Sequence, residues 1–323
     1  MQSRHRSGLN VALLAVLAMS MIGPALAQEV EIERMTWIEV RDRVAAGSTT
    51  VIIPTGGTEQ NGRHMVLGKH NLIVAEAARR IARGLGDALV APAVAYVPEG
   101  DIEARSGHMA YAGTISVPDL VFAALLEAAA GSLKAHGFKT IVLLGDSGST
   151  QAPQREVAMR LTAAWQGAAV VNAEAYYGAN GGVDWLTSQG ETEATIGTHA
   201  GIRDTSELMA VYPAGVRLDG ARPDSDGASG DPSRATPGRG EHLLSLKVAA
   251  AVAEIRAARA RAGAPAPGLF ALLQAQGGGR APGGVGMPPS AEGGAQGGPE
   301  ERLKLGHLGS SDPGTPFARS SSA

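Results

Sequence analysis

Pro54-Thr55-Gly56-Gly57-Thr58-Glu59-Gln60-Asn61-Gly62-Arg63-His64-Met65 decides how this chain is read. The run follows a short β-rich segment, Thr49 to Ile53, and precedes a helical pattern that starts near Asn71. With His70 it gathers Glu59, Asn61 and His64 within twelve residues. Polar, metal-competent side chains leaving the end of a strand are what an α/β active site looks like in sequence.

Outward from this run, strand and helix patterns alternate. Trp37, Val40 and Val44 recur with a helical period, and Thr50 to Pro54 reads as a strand. Asn71 is placed to cap a helix with Leu72, Ala75, Ala78, Ile81, Ala82 and Leu85 on one face. Ala88 to Tyr96 reads as a second strand. Pro118 opens a helix to about His136, and His136 sits where a helix C-terminal dipole favours it. Lys139 to Leu144 is the best buried central strand, Gln151 to Trp165 a helix, and Ala168 to Ala173 a further strand. Shorter helical pieces are expected at Glu191 to Ile196 and Thr205 to Val211, and a long Ala-rich helix at Gly240 to Ala262. Arg217 to Arg239, rich in Asp, Gly, Pro and Ser, reads as a long loop. This alternation predicts an α/β/α three-layer sandwich with a mainly parallel sheet. It brings Glu59, Asn61, His64 and His70, then Glu99, Asp101 and His108, then Asp146, Ser147 and Ser149, then Tyr176 and Tyr177, to one edge of that sheet, where such folds bind ligands.

Several blocks resemble the creatininase family (creatinine amidohydrolase and its relatives). Glu59-Gln60-x-Gly62-x-His64 is similar to the family's Glu-Gln-His-Gly-x-His signature, and Gly113-Thr114-Ile115-Ser116, with His108 upstream, to its Gly-Thr-x-Ser turn. His199-Ala200-Gly201-x-x-Asp204-Thr205-Ser206 resembles the His-Ala-Gly-x-x-Glu-Thr-Ser block, and Ala235-Thr236 with Gly240-Glu241 the closing segment. The resemblance implies a metal-dependent amidohydrolase on an α/β/α fold, a small-molecule substrate and a homo-oligomer, a hexamer in relatives. It also implies two metal ions held by a Glu, a His two residues later, an Asp eleven residues after the Glu, and a downstream His-x-Glu pair. Here those positions hold Glu59, Asn61, His70, Ser147 and Ser149. An amide and two hydroxyls are poor ligands for a transition ion, so an ordinary two-metal centre is not expected.

Three readings of the site follow. In the leading one, Glu59, His70 and Asp146 hold a single divalent ion, Zn or Mn, leaving an open position for water. His199 then protonates the leaving nitrogen of a small amide or cyclic amide, Asp204 orients it, and Asn61, His64, His108, Ser147 and Ser149 contact substrate. Asp204 serves equally as a helix N-cap. In the second reading, Gly145-Asp146-Ser147-Gly148-Ser149 presents Ser147 as the nucleophile of a serine hydrolase at a strand end. In the third, the fold has lost its metals and only binds.

Composition limits the alternatives. Residues 1–27 read as a signal peptide: Arg4, His5 and Arg6, then a mostly apolar run from Leu9 to Ile22, then Ala25-Leu26-Ala27 as the cleavage site. That run is about 14 residues, short of the roughly 20 that span a bilayer. A periplasmic or secreted protein is expected, with the cut after Ala27 and no membrane association once the leader is removed. The leader carries two Arg and no acid, so the formal charge falls from −3 to −5 on its removal. Such a chain offers no basic footprint for nucleic acid. It has no Cys, hence no disulfide. Residues 28–262 are long enough for one α/β domain. Residues 263–323, dense in Gly, Pro, Ala and Ser, read as a disordered tail.

Overall fold

Val51-Ile52-Ile53 and Ile141-Val142-Leu143-Leu144 are β-branched and leucine runs with no polar face, the pattern of strands covered on both sides. A computed structural model, which describes residues 29–263, places them at the centre of the sheet. The strands are β1 (Thr50–Thr55), β2 (Ala88–Val90), β3 (Thr140–Gly145) and β4 (Ala169–Asn172), in the order β2-β1-β3-β4. All neighbours are parallel, with Thr50 opposite Ala88 on one side and Thr140 on the other, and Thr140 opposite Ala169. The order reverses between β1 and β3, so the crevice between their carboxyl ends is the topological switch point.

Period-two alternation assigns each face. Ile52, Val142 and Leu144 point to a core with α2 (Lys69–Leu85) and α9 (Pro237–Gly263), through Val74, Ala78, Ile81, Ala251 and Ile255. Val51, Ile53, Ile141 and Leu143 point the other way, onto Phe122 and Leu126 of α3 (Asp119–Ala135) and Val157 and Leu161 of α4 (Gln151–Ala164). Val40 and Val44 of α1 (Trp37–Ala45) join that second core. The three-layer α/β/α sandwich with a parallel sheet is therefore what the chain forms. Four short helical elements complete the carboxyl half: α5 (Glu174–Tyr177), α6 (Gly182–Ser188), α7 (Glu193–Ile196) and α8 (Ile202–Val211).

Some local expectations give way. Trp37 is 72% exposed, stacked under Arg41 rather than packed in the core. The strand expected to reach Tyr96 stops at Val90, before Pro92, whose missing N–H cannot extend a ladder; Val94 and Val97 make only isolated bridges. Asn71 caps no helix. The helix begins at Lys69 behind Gly68, and the Asn71 side chain instead accepts the Gly57 N–H at 3.0 Å, fixing the β1 loop. Asp204 lies inside α8, whose N-cap is Gly201. The leader and tail lie outside the described residues.

The expected loop ends early, because α9 takes up at Pro237; from 217 to 236 the segment has no strand and two short 3-10 turns, yet it is tied down. The Glu191 carboxylate accepts from Arg234 (2.6 Å), Arg239 (2.7 Å) and the Thr195 hydroxyl (3.1 Å), with its own side chain shielded from solvent. The Arg234 hydrogen bond leads the effects that hold its carboxyl down at about 2. A carboxyl depressed below its unfolded value stabilises the fold above that unfolded value and ceases to do so as pH falls through the folded one. Glu191→Gln is thus expected to cost about 1–2 kcal/mol at pH 7, since both arginines are partly solvated. The loss should shrink as pH drops from about 4.5 towards 2, where the parent has itself lost the contribution. Urea unfolding of both proteins across that range reads the difference, and a pH-independent gap would contradict the assignment.

Candidate active site

The loops leaving β1, β2 and β3, with the start of α8 and one residue of α9, enclose a cavity of about 700 Å3 lined by Glu59, Glu99, His108, Ser149, His199 and Arg203, among others. Glu59 is its pivot. The side chain is buried, and each carboxylate oxygen meets an imidazole: Oε1 lies 2.7 Å from His70 Nε2, and Oε2 lies 3.0 Å from His108 Nε2. His199 Nδ1 stands 3.8 Å from Oε1, and Lys69 Nζ 3.9 Å. Burial works to raise the Glu59 carboxyl, but the hydrogen bond and charge of His70 outweigh it and hold Glu59 ionised, well below the usual range.

His70 lies between two acids. Its Nδ1 is 2.8 Å from Asp146 Oδ2, while Nε2 serves Glu59. Burial and the Lys69 charge oppose a charged ring, but the hydrogen bonds to Asp146 and Glu59 prevail and push His70 up to about 9. Both ring nitrogens therefore carry hydrogen at neutral pH and offer no lone pair to a metal. Asp146 is filled in the same way. Besides His70 it accepts from the Tyr176 hydroxyl at 2.7 Å and the Lys247 ammonium at 2.7 Å. Lys247 also bonds Glu207 at 2.9 Å and lies over the Tyr176 ring. The grouping of Glu59, His70 and Asp146 expected from sequence is thus real as a cluster, but His70 joins the two acids as an imidazolium.

Among the described residues, the donors that can converge on an ion are Glu59, His108 and His199, whose ligand atoms all lie within 4.8 Å of one another. His199 Nε2 donates to the Gln60 carbonyl at 2.9 Å, which leaves the Nδ1 lone pair towards Glu59, the arrangement that orients a metal-binding imidazole. His108 Nδ1 contacts Gln60 Nε2 at 2.9 Å. That amide is itself oriented by Gly62 N–H on Oε1 and the Gly227 carbonyl near Nε2. Gln60 therefore donates to Nδ1, and the His108 hydrogen sits on Nε2, facing Glu59. To hold an ion, His108 would have to give up that Nε2 hydrogen. Burial lowers both imidazoles, favouring the neutral form a ligand needs. A carboxylate and two imidazoles fit one transition ion with an open position. They do not fit two: Asn61, His70, Ser147 and Ser149 supply no second ligand set, and Lys247 and His70 already bring positive charge to Asp146.

The remaining candidates sort by location. Asn61 is fully buried and turns away from the cavity, donating to the backbone carbonyls of Glu59 (2.9 Å) and Val66 (3.3 Å). His64 is also buried, 3.0 Å from the Thr205 hydroxyl. Neither lines the cavity, so the expectation that they contact substrate gives way to a loop-holding role. Asp204 accepts from Lys69 Nζ (3.0 Å) and the Ala200 N–H (2.8 Å) and makes no hydrogen bond to His199. Its effect on that ring is through charge. Ser147 and Ser149 do line the cavity, with their hydroxyls 2.9 Å apart. Among the described residues no imidazole hydrogen-bonds Ser147, so the base that a serine nucleophile requires is missing.

The sequence brings Glu99 to this sheet edge without giving it a role. Glu99 is 2% exposed, with Oε2 3.5 Å from the Ser149 hydroxyl and Oε1 unpaired against Gly57. A Cβ on Gly57 would fall 2.2 Å from that oxygen, and its φ of +147° already favours glycine. Burial, then the Glu59 charge, pushes the Glu99 carboxyl up to about 9. Lys69 and Lys247 were not singled out from sequence. Lys247 sits on the stripe Leu243, Leu244, Lys247, Ala251, a cation at core spacing in an Ala-rich helix. Lys69 lies in the first turn of α2, where the helix dipole disfavours a cation. Both positions signal a buried acid nearby.

A parallel sandwich with a carboxylate–imidazole cluster at its switch point has the layout of a hydrolase. Residues 33–255 match the Creatininase family, described as creatinine amidohydrolase, and the chain belongs to it. Its family relatives include amidohydrolases. The chain is 29% identical to creatinine amidohydrolase of Pseudomonas putida over 119 residues, 37% of this chain and only 45% of that protein. The alignment therefore spans less than half the length of that relative. It is 27% identical to the mycofactocin precursor peptide peptidase of Mycolicibacterium smegmatis over 218 residues, 61% of this chain and 81% of the other. A solved structure described as Creatininase Mn superposes with a TM-score of 0.58 at 25% identity, covering 71% of this chain and 98% of its own.

Proposed function

We propose that this protein hydrolyses the C–N bond of a small amide or cyclic amide with one divalent ion, Zn or Mn, held by Glu59, His108 and His199. The convergence of those three ligand atoms, with Glu59 buried and ionised among them, carries the reading. When bound, the ion supplies Lewis-acid polarisation of the amide carbonyl. The protein does the rest. His199 is held by the Gln60 carbonyl, so its Nδ1 is aimed before the ion arrives. Lys69 and His70 keep Glu59 anionic without occupying the open side of the cluster. Glu99, buried beside an ionised carboxylate, retains its proton, because two adjacent carboxyls do not both ionise. That makes Glu99 the acid available to a departing amine. The Ser147 and Ser149 hydroxyls face the same space and can hold the substrate's polar atoms. Export to the periplasm or beyond, and assembly into a homo-oligomer, belong to the same proposal.

Elemental mass spectrometry of the protein, loaded with Zn or Mn and desalted, tests it. About one ion per chain is expected, lost in His108→Ala and His199→Ala while thermal unfolding stays close to the parent. Two ions per chain, or none, would sink the single-ion assignment. A screen of N-acyl amides and cyclic amides with the loaded protein then tests the reaction.

A further inference from the structure

The other buried cations around the cavity each meet an acid. Lys69 has Asp204 at 3.0 Å, and Lys247 has Asp146 at 2.7 Å and Glu207 at 2.9 Å. His70 spans Glu59 and Asp146. Arg203, in the first turn of α8, lines the same cavity and is half-buried, yet its guanidinium makes no hydrogen bond or ion pair among the described residues. Burial opposes its charge, but the field of Glu207 and Asp204, with the Tyr177 phenol and Asp146, outweighs that and holds it protonated. Each of the three acids is already committed to another cation at hydrogen-bonding distance. A guanidinium cannot shed its proton, and a half-buried one without a partner is costly. Its planar fork matches a carboxylate in bidentate fashion.

We propose that Arg203 is the anchor for a carboxylate on the substrate, so that the amides this site takes are anionic: N-acyl amino acids or short peptides with a free C-terminus. The wall around it suits that class. Ser149 and Tyr177 also line the cavity and offer hydroxyls to a peptide's polar atoms. Arg203 and Glu59 line one continuous cavity, so a carboxylate on the first can present its amide to the second. This inference rests on the hydrolase reading only for the bond that is broken; recognition of the anion stands separately.

The test compares N-acetylglycine with N-acetylglycinamide, the same molecule without the charge, by ligand-observed NMR titration on the full chain. The parent should bind the carboxylate about tenfold more tightly than the amide, as a charge-assisted pair implies. Arg203→Met should abolish that preference and Arg203→Lys should keep part of it. Without ligand, Arg203→Met should unfold close to the parent temperature, because no hydrogen bond or ion pair is lost with it. An Arg with a merely structural role would give a drop. Titration after chelation separates the guanidinium from a bound ion: a preference that survives chelation and vanishes in Arg203→Met supports the assignment. A preference that persists in Arg203→Met, equal affinities, or no binding of either compound would overturn it. If the preference holds and no amide is hydrolysed, the hydrolase reading falls and the anion site stands. If amides turn over at equal rates with and without the carboxylate, the reverse follows.

Discussion

Asp146→Asn is expected to destabilise the protein by about 3–5 kcal/mol, as removal of one partner from a buried charge network does. Asp146 is 4% exposed and accepts from His70, Tyr176 and Lys247 at 2.7–2.8 Å. Burial opposes its charge, but Lys247 and His70 overcome that and hold it ionised well below the usual carboxylate range. The amide keeps the shape and loses the charge. Lys247, 4% exposed, is then left with Glu207 alone, and His70 with Glu59 alone. Lys247→Met should also destabilise, because Asp146 keeps only one cation. The double variant Asp146→Asn/Lys247→Met should lose clearly less than the sum, since each change removes the charge that the other strands. Urea unfolding at pH 7 gives all three values. Strict additivity would show that the two side chains do not share one electrostatic unit.

That network explains what the sequence did and did not disclose. Strand identity was legible because Val51 to Ile53 and Ile141 to Leu144 are apolar on both faces, and only a covered parallel sheet uses such runs. The edge where the site lies followed from the same strands. Glu59 and His199 were legible because they sit in short polar motifs between regular elements. Pairing was not legible. Nothing local shows that His70 and Lys247, 177 positions apart, meet on one carboxylate. Nor does the local sequence show that Asn61 folds back on its own loop while His108 reaches in from the β2 side. Hydrogen-bond sense decides whether an imidazole is a ligand, and that is a property of tertiary neighbours. His70 has two acids as neighbours and His199 has a carbonyl, and this difference is why the proposed ligand role goes to the second and not the first.

Glu59→Gln should have the largest catalytic effect, a fall in turnover of about 10²–10³ or more, the range for losing a central electrostatic group. The amide differs from the carboxylate by charge and by replacing one acceptor oxygen with a donor. One of its two polar ends would face His70 Nε2–H or His108 Nε2–H with a clash of donors, since both lie within 3.0 Å of Glu59. Ion content should fall with it, because two imidazoles alone make a weak site. Stability should also fall, as His70 keeps only Asp146 and Lys69 only Asp204. The stability loss clouds a bare activity measurement, and His199→Ala resolves it. Its side chain is 19% exposed and donates to a single backbone carbonyl, so its removal should leave unfolding nearly unchanged while ion content and turnover drop as in Glu59→Gln. If His199→Ala retained both ion and turnover, the loss in Glu59→Gln would be one of folding alone. The catalytic centre would then have to be sought elsewhere along the cavity, at Glu99 and the Ser147–Ser149 pair.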